Sequence, residues 1–189
     1  MNKVLKYTIM MVCIGGLVSL LLSVVNVITK PIIEEQKIKK VSKVLSEVDD
    51  ISNWKNGESI INLNNDNIVD VFISYENNEI KYIAYLINTY GYSNGLIETV
   101  VFINNRTSKI HLIRIVNIEG QTKGIGSQIV DDESYVKYFE NIDTKKYYND
   151  SIDKHNSSSF DIISGATISS KAVVEAIIIA CNNYESEVK

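Results

Sequence analysis

The chain has 189 residues, 45% hydrophobic and 22% charged, with a mean hydropathy near zero, a composition that suits one folded domain and excludes a disordered or collagen-like polymer. Lys3, Lys6 and Lys30 are the only charges up to residue 30, so the other 16 of 19 basic residues and all 23 acidic ones fall in residues 31–189, a net negative segment unsuited to nucleic acid. Two cysteines, one of them in an apolar N-terminal stretch, and two histidines exclude a disulfide framework and leave too few ligands for a structural zinc site or an iron–sulfur cluster.

After a short tail, residues 1–6, no charge occurs from Tyr7 to Thr29. As a helix this stretch reaches roughly 34 Å, slightly more than a bilayer's hydrocarbon core. A cleaved signal peptide would have a shorter apolar region and small residues at its cleavage site, and the first Ala of the chain is Ala84. The expectation is a transmembrane helix over 7–29. Lys30, Lys37, Lys39, Lys40 and Lys43 follow it and favour a cytoplasmic location for what comes after, although long domains are translocated largely regardless of such charges.

Pro31 ends or kinks that helix. Ile33, Ile38, Val41, Val44, Leu45 and Val48 then recur at three- and four-residue spacing, which predicts an amphipathic connecting helix within residues 30–50. Residues 49–70, rich in Asn, Asp and Ser, read as a loop. Four β-branched and aromatic runs follow, Ile68–Tyr75, Ile80–Thr89, Leu96–Ile103 and Lys109–Ile118, and short polar connections at Glu76–Glu79 and Asn104–Ser108 make an antiparallel meander the economical arrangement. Residues 131–150 read as a short charged, Tyr-rich helix and a loop. From Ser170 to about Tyr184 the polar stripe of Lys171, Glu175 and Asn182 is narrow, so this final helix is expected to be largely buried. The fold class is therefore α+β, an antiparallel sheet packed against helices with one N-terminal transmembrane helix.

Three segments could carry chemistry. In Asp161-Ile162-Ile163-Ser164-Gly165-Ala166-Thr167-Ile168-Ser169-Ser170 a small-residue turn leads into the final helix; its hydroxyls suit N-capping, and the same free N–H groups and helix dipole suit a phosphate. Gly120-Gln121-Thr122-Lys123-Gly124-Ile125-Gly126 lacks both the P-loop ending and the dinucleotide fingerprint, leaving a turn or a loop over a planar ligand. Thr89-Tyr90-Gly91-Tyr92-Ser93-Asn94-Gly95 offers tyrosines that could stack on an aromatic ligand but equally suit sheet packing. No G-x-S-x-G elbow occurs and neither His111 nor His155 sits in a recognisable catalytic setting, so no catalytic residue and no metal ligand is assigned.

In order, the anchor running into Thr29-Lys30-Pro31-Ile32-Ile33-Glu34-Glu35-Gln36, Gly91-Tyr92 before a strand, the Thr122 and Gly124-Ile125-Gly126 loop, and Asp161-x-x-Ser164-Gly165-Ala166-Thr167 resemble the FMN-binding subunit of the Rnf and Nqr redox complexes, over essentially the whole chain. The length is closer to the Rnf form of that subunit than to the longer Nqr form. In that family Asp-x-x-Ser/Thr-Gly-Ala-Thr is the flavinylation motif, and the resemblance implies FMN joined to Thr167 by a phosphodiester bond, with residues 51–189 as the FMN-binding domain. It implies recognition of Asp161, Ser164, Gly165, Ala166 and Thr167 by a flavin transferase that uses FAD and a metal ion. Tyr92, Thr122, Gly124, Ile125, Gly126, Ser164, Gly165, Ala166 and Ser169 become cofactor-binding candidates. The family loop reads Glu-Thr-Pro-Gly-Leu-Gly, where this chain has Gln121 and Lys123 in place of the acid and the proline.

The resemblance further implies an electron-carrying subunit of a membrane redox complex, with other subunits as partners and the flavin domain on the outer side of the cytoplasmic membrane. The pump would reside in those partners, because one anchor helix without an ionisable residue offers no ion path. The Nqr form of the subunit, a free-standing anchored extracellular flavin carrier and a non-redox sensing or assembly domain are the alternatives.

Overall fold

A computed structural model describes residues 41–118, 127–155 and 161–189 and, ahead of these, residues 7, 10–16, 18–20 and 23. The chain divides into two units, residues 1–43 and 44–189. In the first, the residues described before position 41 are helical and exposed. The rest of the expected span over 7–29, the tail 1–6 and residues 30–40 of the connecting helix lie outside the described residues. Among the described residues no helix is long and apolar enough to cross a membrane. The connecting helix expected to reach residue 50 is helical over 41–45 and then gives way to turns, with the Val48 N–H bonded to the Leu45 carbonyl at 3.1 Å.

The second unit is built on a five-stranded antiparallel sheet whose spatial order follows the chain: β1 (Trp54–Asn56), β2 (Ile68–Glu76), β3 (Glu79–Tyr90), β4 (Leu96–Asn104) and β5 (Lys109–Ile118). The meander read from the sequence is β2 to β5. Its first turn is tight because Asn77 and Asn78 both take positive φ (54° and 64°), the geometry of a type I′ hairpin and one that asparagine tolerates. The β4–β5 turn is closed by the Asn104 side chain, which accepts from the N–H groups of Arg106 and Thr107.

The strand runs are nearly continuous in hydrophobicity because both faces of the sheet are buried. On one face Ile73, Ile83 and Ile103 are in register across β2, β3 and β4, as are Val71, Tyr85 and Val101. On the other, Phe72, Ala84 and Phe102 align, and Trp54 meets Phe102 edge-on with ring centroids 5.8 Å apart. β1 falls where the sequence predicts loop. It is a strand because Trp54, Lys55 and Asn56 pair with Ser74, Ile73 and Phe72, a tertiary pairing that three residues cannot announce by periodicity.

The first of these faces is covered by the final helix. Two short helices, α1 (Gln128–Asp131) and α2 (Glu133–Lys137), precede it in place of the single one expected, and α3 runs over Thr167–Glu187. α3 begins three residues earlier than the hydrophobic pattern suggests, because its first turn holds Thr167, Ile168 and Ser169 rather than core-forming residues. Ala172, Val173, Ala176, Ile177, Ala180 and Tyr184 of α3 are buried with Ile83, Tyr85 and Val101 in one core.

Candidate functional site

The position of α3 fixes where the sequence-derived segments meet. Near its C-terminal end the Tyr184 hydroxyl lies 3.2 Å from the Ser108 hydroxyl and donates to the Asn105 carbonyl at 3.3 Å, so this end sits at the β4–β5 turn. A helix rises about 1.5 Å per residue, which carries the start of α3 back along the strands. The opposite end of the sheet is where β3 leaves through Gly91–Gly95 and β5 ends at Ile118.

Thr167 is the first residue of α3. The residue before it, Ala166, has no side-chain group that could cap the helix and makes no such bond. The Ser170 hydroxyl donates to the Ala166 carbonyl at 2.9 Å and accepts from the Ile163 N–H at 3.1 Å. Gly165 has φ +90° and a Cβ built there would meet nothing within 4 Å, so glycine is required by the backbone and leaves open space in front of it. Ser164, Gly165 and Ile168 are exposed and Thr167 is half-buried, whereas Ala166, Ser169 and Ser170 face the interior. A ligand can therefore reach Thr167, Ser164 and Gly165 from solvent, but not the Ser169 or Ser170 side chains.

Asp161 is buried, and its Oδ2 lies 2.6 Å from His155 Nδ1, while His155 Nε2 lies 3.0 Å from Asp150 Oδ2. Burial would raise the Asp150 carboxyl's pKa, but hydrogen bonds from Lys154, the Ser151 N–H and His155, with the Lys154 charge, bring it down to about 2. The His155 ring stacks on Tyr147, centroids 6.2 Å apart. Sequence reasoning gives His155 no role. Asp150, His155 and Asp161 follow no motif spacing, and only the fold brings them together.

Tyr135 of α2 donates its hydroxyl to the Ser170 carbonyl at 3.1 Å; burial pushes its pKa up, so it stays a neutral donor. The next residues, Val136 and Lys137, line a cleft of about 390 Å³ together with Ile113, Ile115, Ile129 and the ion pair in which Arg114 Nε donates to Glu47 Oε2 at 2.7 Å. That volume falls within the range of small-molecule sites. Tyr92 is exposed at the sheet end described above, on a loop closed by the Gly91 N–H to the Gly95 carbonyl at 2.9 Å. Thr122, Gly124, Ile125 and Gly126 lie outside the described residues. Among the described residues no group of His, Cys, Asp and Glu could hold a metal ion.

No curated protein matches the chain. Residues 91–182, which run from the Gly91 loop through the motif into α3, match the family model described as FMN-binding domain. The match gives FMN as the cofactor of this part of the chain.

Proposed function

We propose that the chain is a membrane-anchored flavoprotein subunit of an Rnf-type, ion-translocating electron transport complex linked to ferredoxin and NAD, and that its FMN is esterified to Thr167. The observation that carries the reading is the placement of Thr167. It opens a helix of 21 residues whose N-cap residue, Ala166, supplies no capping bond, beside an exposed glycine with open space before it, within the segment that matches the FMN-binding domain model.

These residues fit a phosphate diester. The N–H groups at the start of the helix and the helix dipole favour negative charge at that point, and the Thr167 hydroxyl supplies the ester oxygen. When bound, FMN supplies one- and two-electron transfer. Ser164 and Gly165 leave the approach open, and the buried faces of Ala166, Ser169 and Ser170 hold the turn against the core. The cleft beside α2, walled in part by Ile113, Ile115 and Ile129, offers room for a planar ring. Thr167 has no adjacent general base among the motif residues, so attachment belongs to a separate flavin transferase acting on Asp161, Ser164, Gly165, Ala166 and Thr167.

The domain, taken as residues 51–189, is placed on the outer side of the cytoplasmic membrane and anchored through residues 7–29, with the other subunits of the complex as partners. The reading is tested by in-gel flavin fluorescence of the denatured chain made with a flavin transferase. A fluorescent band from the native sequence that disappears in Thr167→Ala is expected, together with co-purification of integral-membrane partners after mild detergent extraction. A band that persists in Thr167→Ala moves the ester elsewhere, and a native chain with no band overturns the covalent reading.

A further inference from the structure

The turn that presents Thr167 is held from two sides. Downstream, Ser170 ties Ile163 to Ala166 through its hydroxyl, and Tyr135 holds the Ser170 carbonyl. Upstream, Asp161 is held through its Oδ2 by His155, which is itself held by Asp150 and is 8% exposed. The second carboxylate oxygen of Asp161, Oδ1, is buried without a partner, so among the described residues His155 supplies the hydrogen bond that holds this side chain. With both ring nitrogens protonated, His155 donates to both carboxylates at once; with one, it can hold only one of them as a donor. Between the two anchors stand the exposed Ser164 and Gly165 and the half-buried Thr167. An acceptor hydroxyl must meet phosphorus in line, and a displacement of about 1 Å can cost about 100-fold in rate.

We propose that His155, which lies outside the Asp161–Thr167 motif, is a positioning residue for flavin attachment: by bridging Asp150 and Asp161 it presets the turn that offers Thr167 to the transferase. The proposal rests on the covalent reading above. In the step concerned, Thr167 Oγ forms a bond to the phosphorus of the riboflavin-bearing half of FAD. The bond from that phosphorus to the bridging diphosphate oxygen breaks, AMP departs, and the hydroxyl proton passes to a base of the transferase. His155 takes part in none of these bond changes and acts through Asp161.

The test uses the full chain in detergent with purified flavin transferase, FAD and Mg²⁺, and follows covalent flavin per chain by fluorescence and intact mass. His155→Gln and His155→Leu are expected to lower kcat of transfer about 10- to 100-fold, with KM for FAD unchanged because FAD binds the transferase. Prolonged incubation should still reach the wild-type endpoint. Ile177→Ala, a core change in the middle of α3, serves as the control for lost stability, with thermal midpoints measured for every variant and rates taken below the lowest of them. Wild-type transfer in Ile177→Ala beside slow transfer in the His155 variants supports the proposal. Rates that follow the thermal midpoints instead, or His155 variants within twofold of wild type, overturn it. A wild-type chain that takes up no flavin overturns the covalent reading itself, an outcome distinct from either.

Discussion

The two ends of α3 are built in opposite ways. At the C-terminal end Tyr184 reaches Asn105 and Ser108, Asn183 donates to the Asn62 carbonyl and the Asn64 side chain, and Asn182 accepts from the Asn149 N–H. At the N-terminal end the N-cap residue Ala166 makes no capping bond, and Ser164, Gly165 and Ile168 are exposed. Side chains that lock an element to its neighbours contribute stability, whereas an exposed helix start with open space beside it is available to a ligand. On the function proposed above, the contrast means that the first turn of α3 is kept for the cofactor and the last turns for the fold.

Substitutions at the two ends should therefore separate. The largest effect belongs to Thr167→Ala, expected to abolish covalent flavin while leaving the thermal midpoint of the flavin-free chain within the usual range for a surface change; a large drop in that midpoint would erase the distinction. Tyr184→Ala, at the closed end, removes a nearly fully buried ring and its hydrogen bonds. About 3–5 kcal/mol of stability should be lost by analogy with other buried aromatic truncations, read by denaturant unfolding, with the Thr167 acceptor still competent in the folded fraction. Gly165→Ala forces an L side chain into φ +90° and is expected to cost about 1 kcal/mol. Because nothing crowds that position, the same variant measures backbone strain rather than a clash.

The smallest effect concerns acid. The Asp150 carboxyl is held down to about 2 against an unfolded value of about 3.9. A depressed folded value means that its contribution to stability is complete above pH 4 and is lost as pH falls toward 2. Asp150→Asn should therefore flatten the dependence of unfolding free energy on pH between about 4 and 2. An unchanged slope in that window would show that the His155 bridge leaves Asp150 energetically unlinked to folding.

The parts legible in the sequence are those with local causes. β2 to β5 can be read because β-branched runs alternate with Asn-rich turns, and Asn77 and Asn78 accept the left-handed backbone a tight hairpin needs. The burial of α3 follows from its narrow polar stripe. β1 escapes notice because Trp54, Lys55 and Asn56 become a strand only through β2, and the start of α3 is placed late because Thr167, Ile168 and Ser169 carry no core pattern. In the site, the Asp161–Thr167 motif is visible as a run of small and polar residues. Its support is not: His155 and Asp150 follow no spacing that announces their meeting with Asp161, which the fold alone brings about.

Because spatial order in the sheet follows order along the chain, each strand can pair with the one just synthesised, and such short-range closure is cheap in entropy. α3 comes after all five strands. Until residues 167–187 have left the ribosome, the sheet face bearing Ile73, Ile83, Tyr85, Val101 and Ile103 has no cover, and a nascent or truncated chain in that state is prone to aggregate. The turn bearing Thr167 likewise becomes complete only when that cover docks, so the cofactor loading proposed above would follow translation.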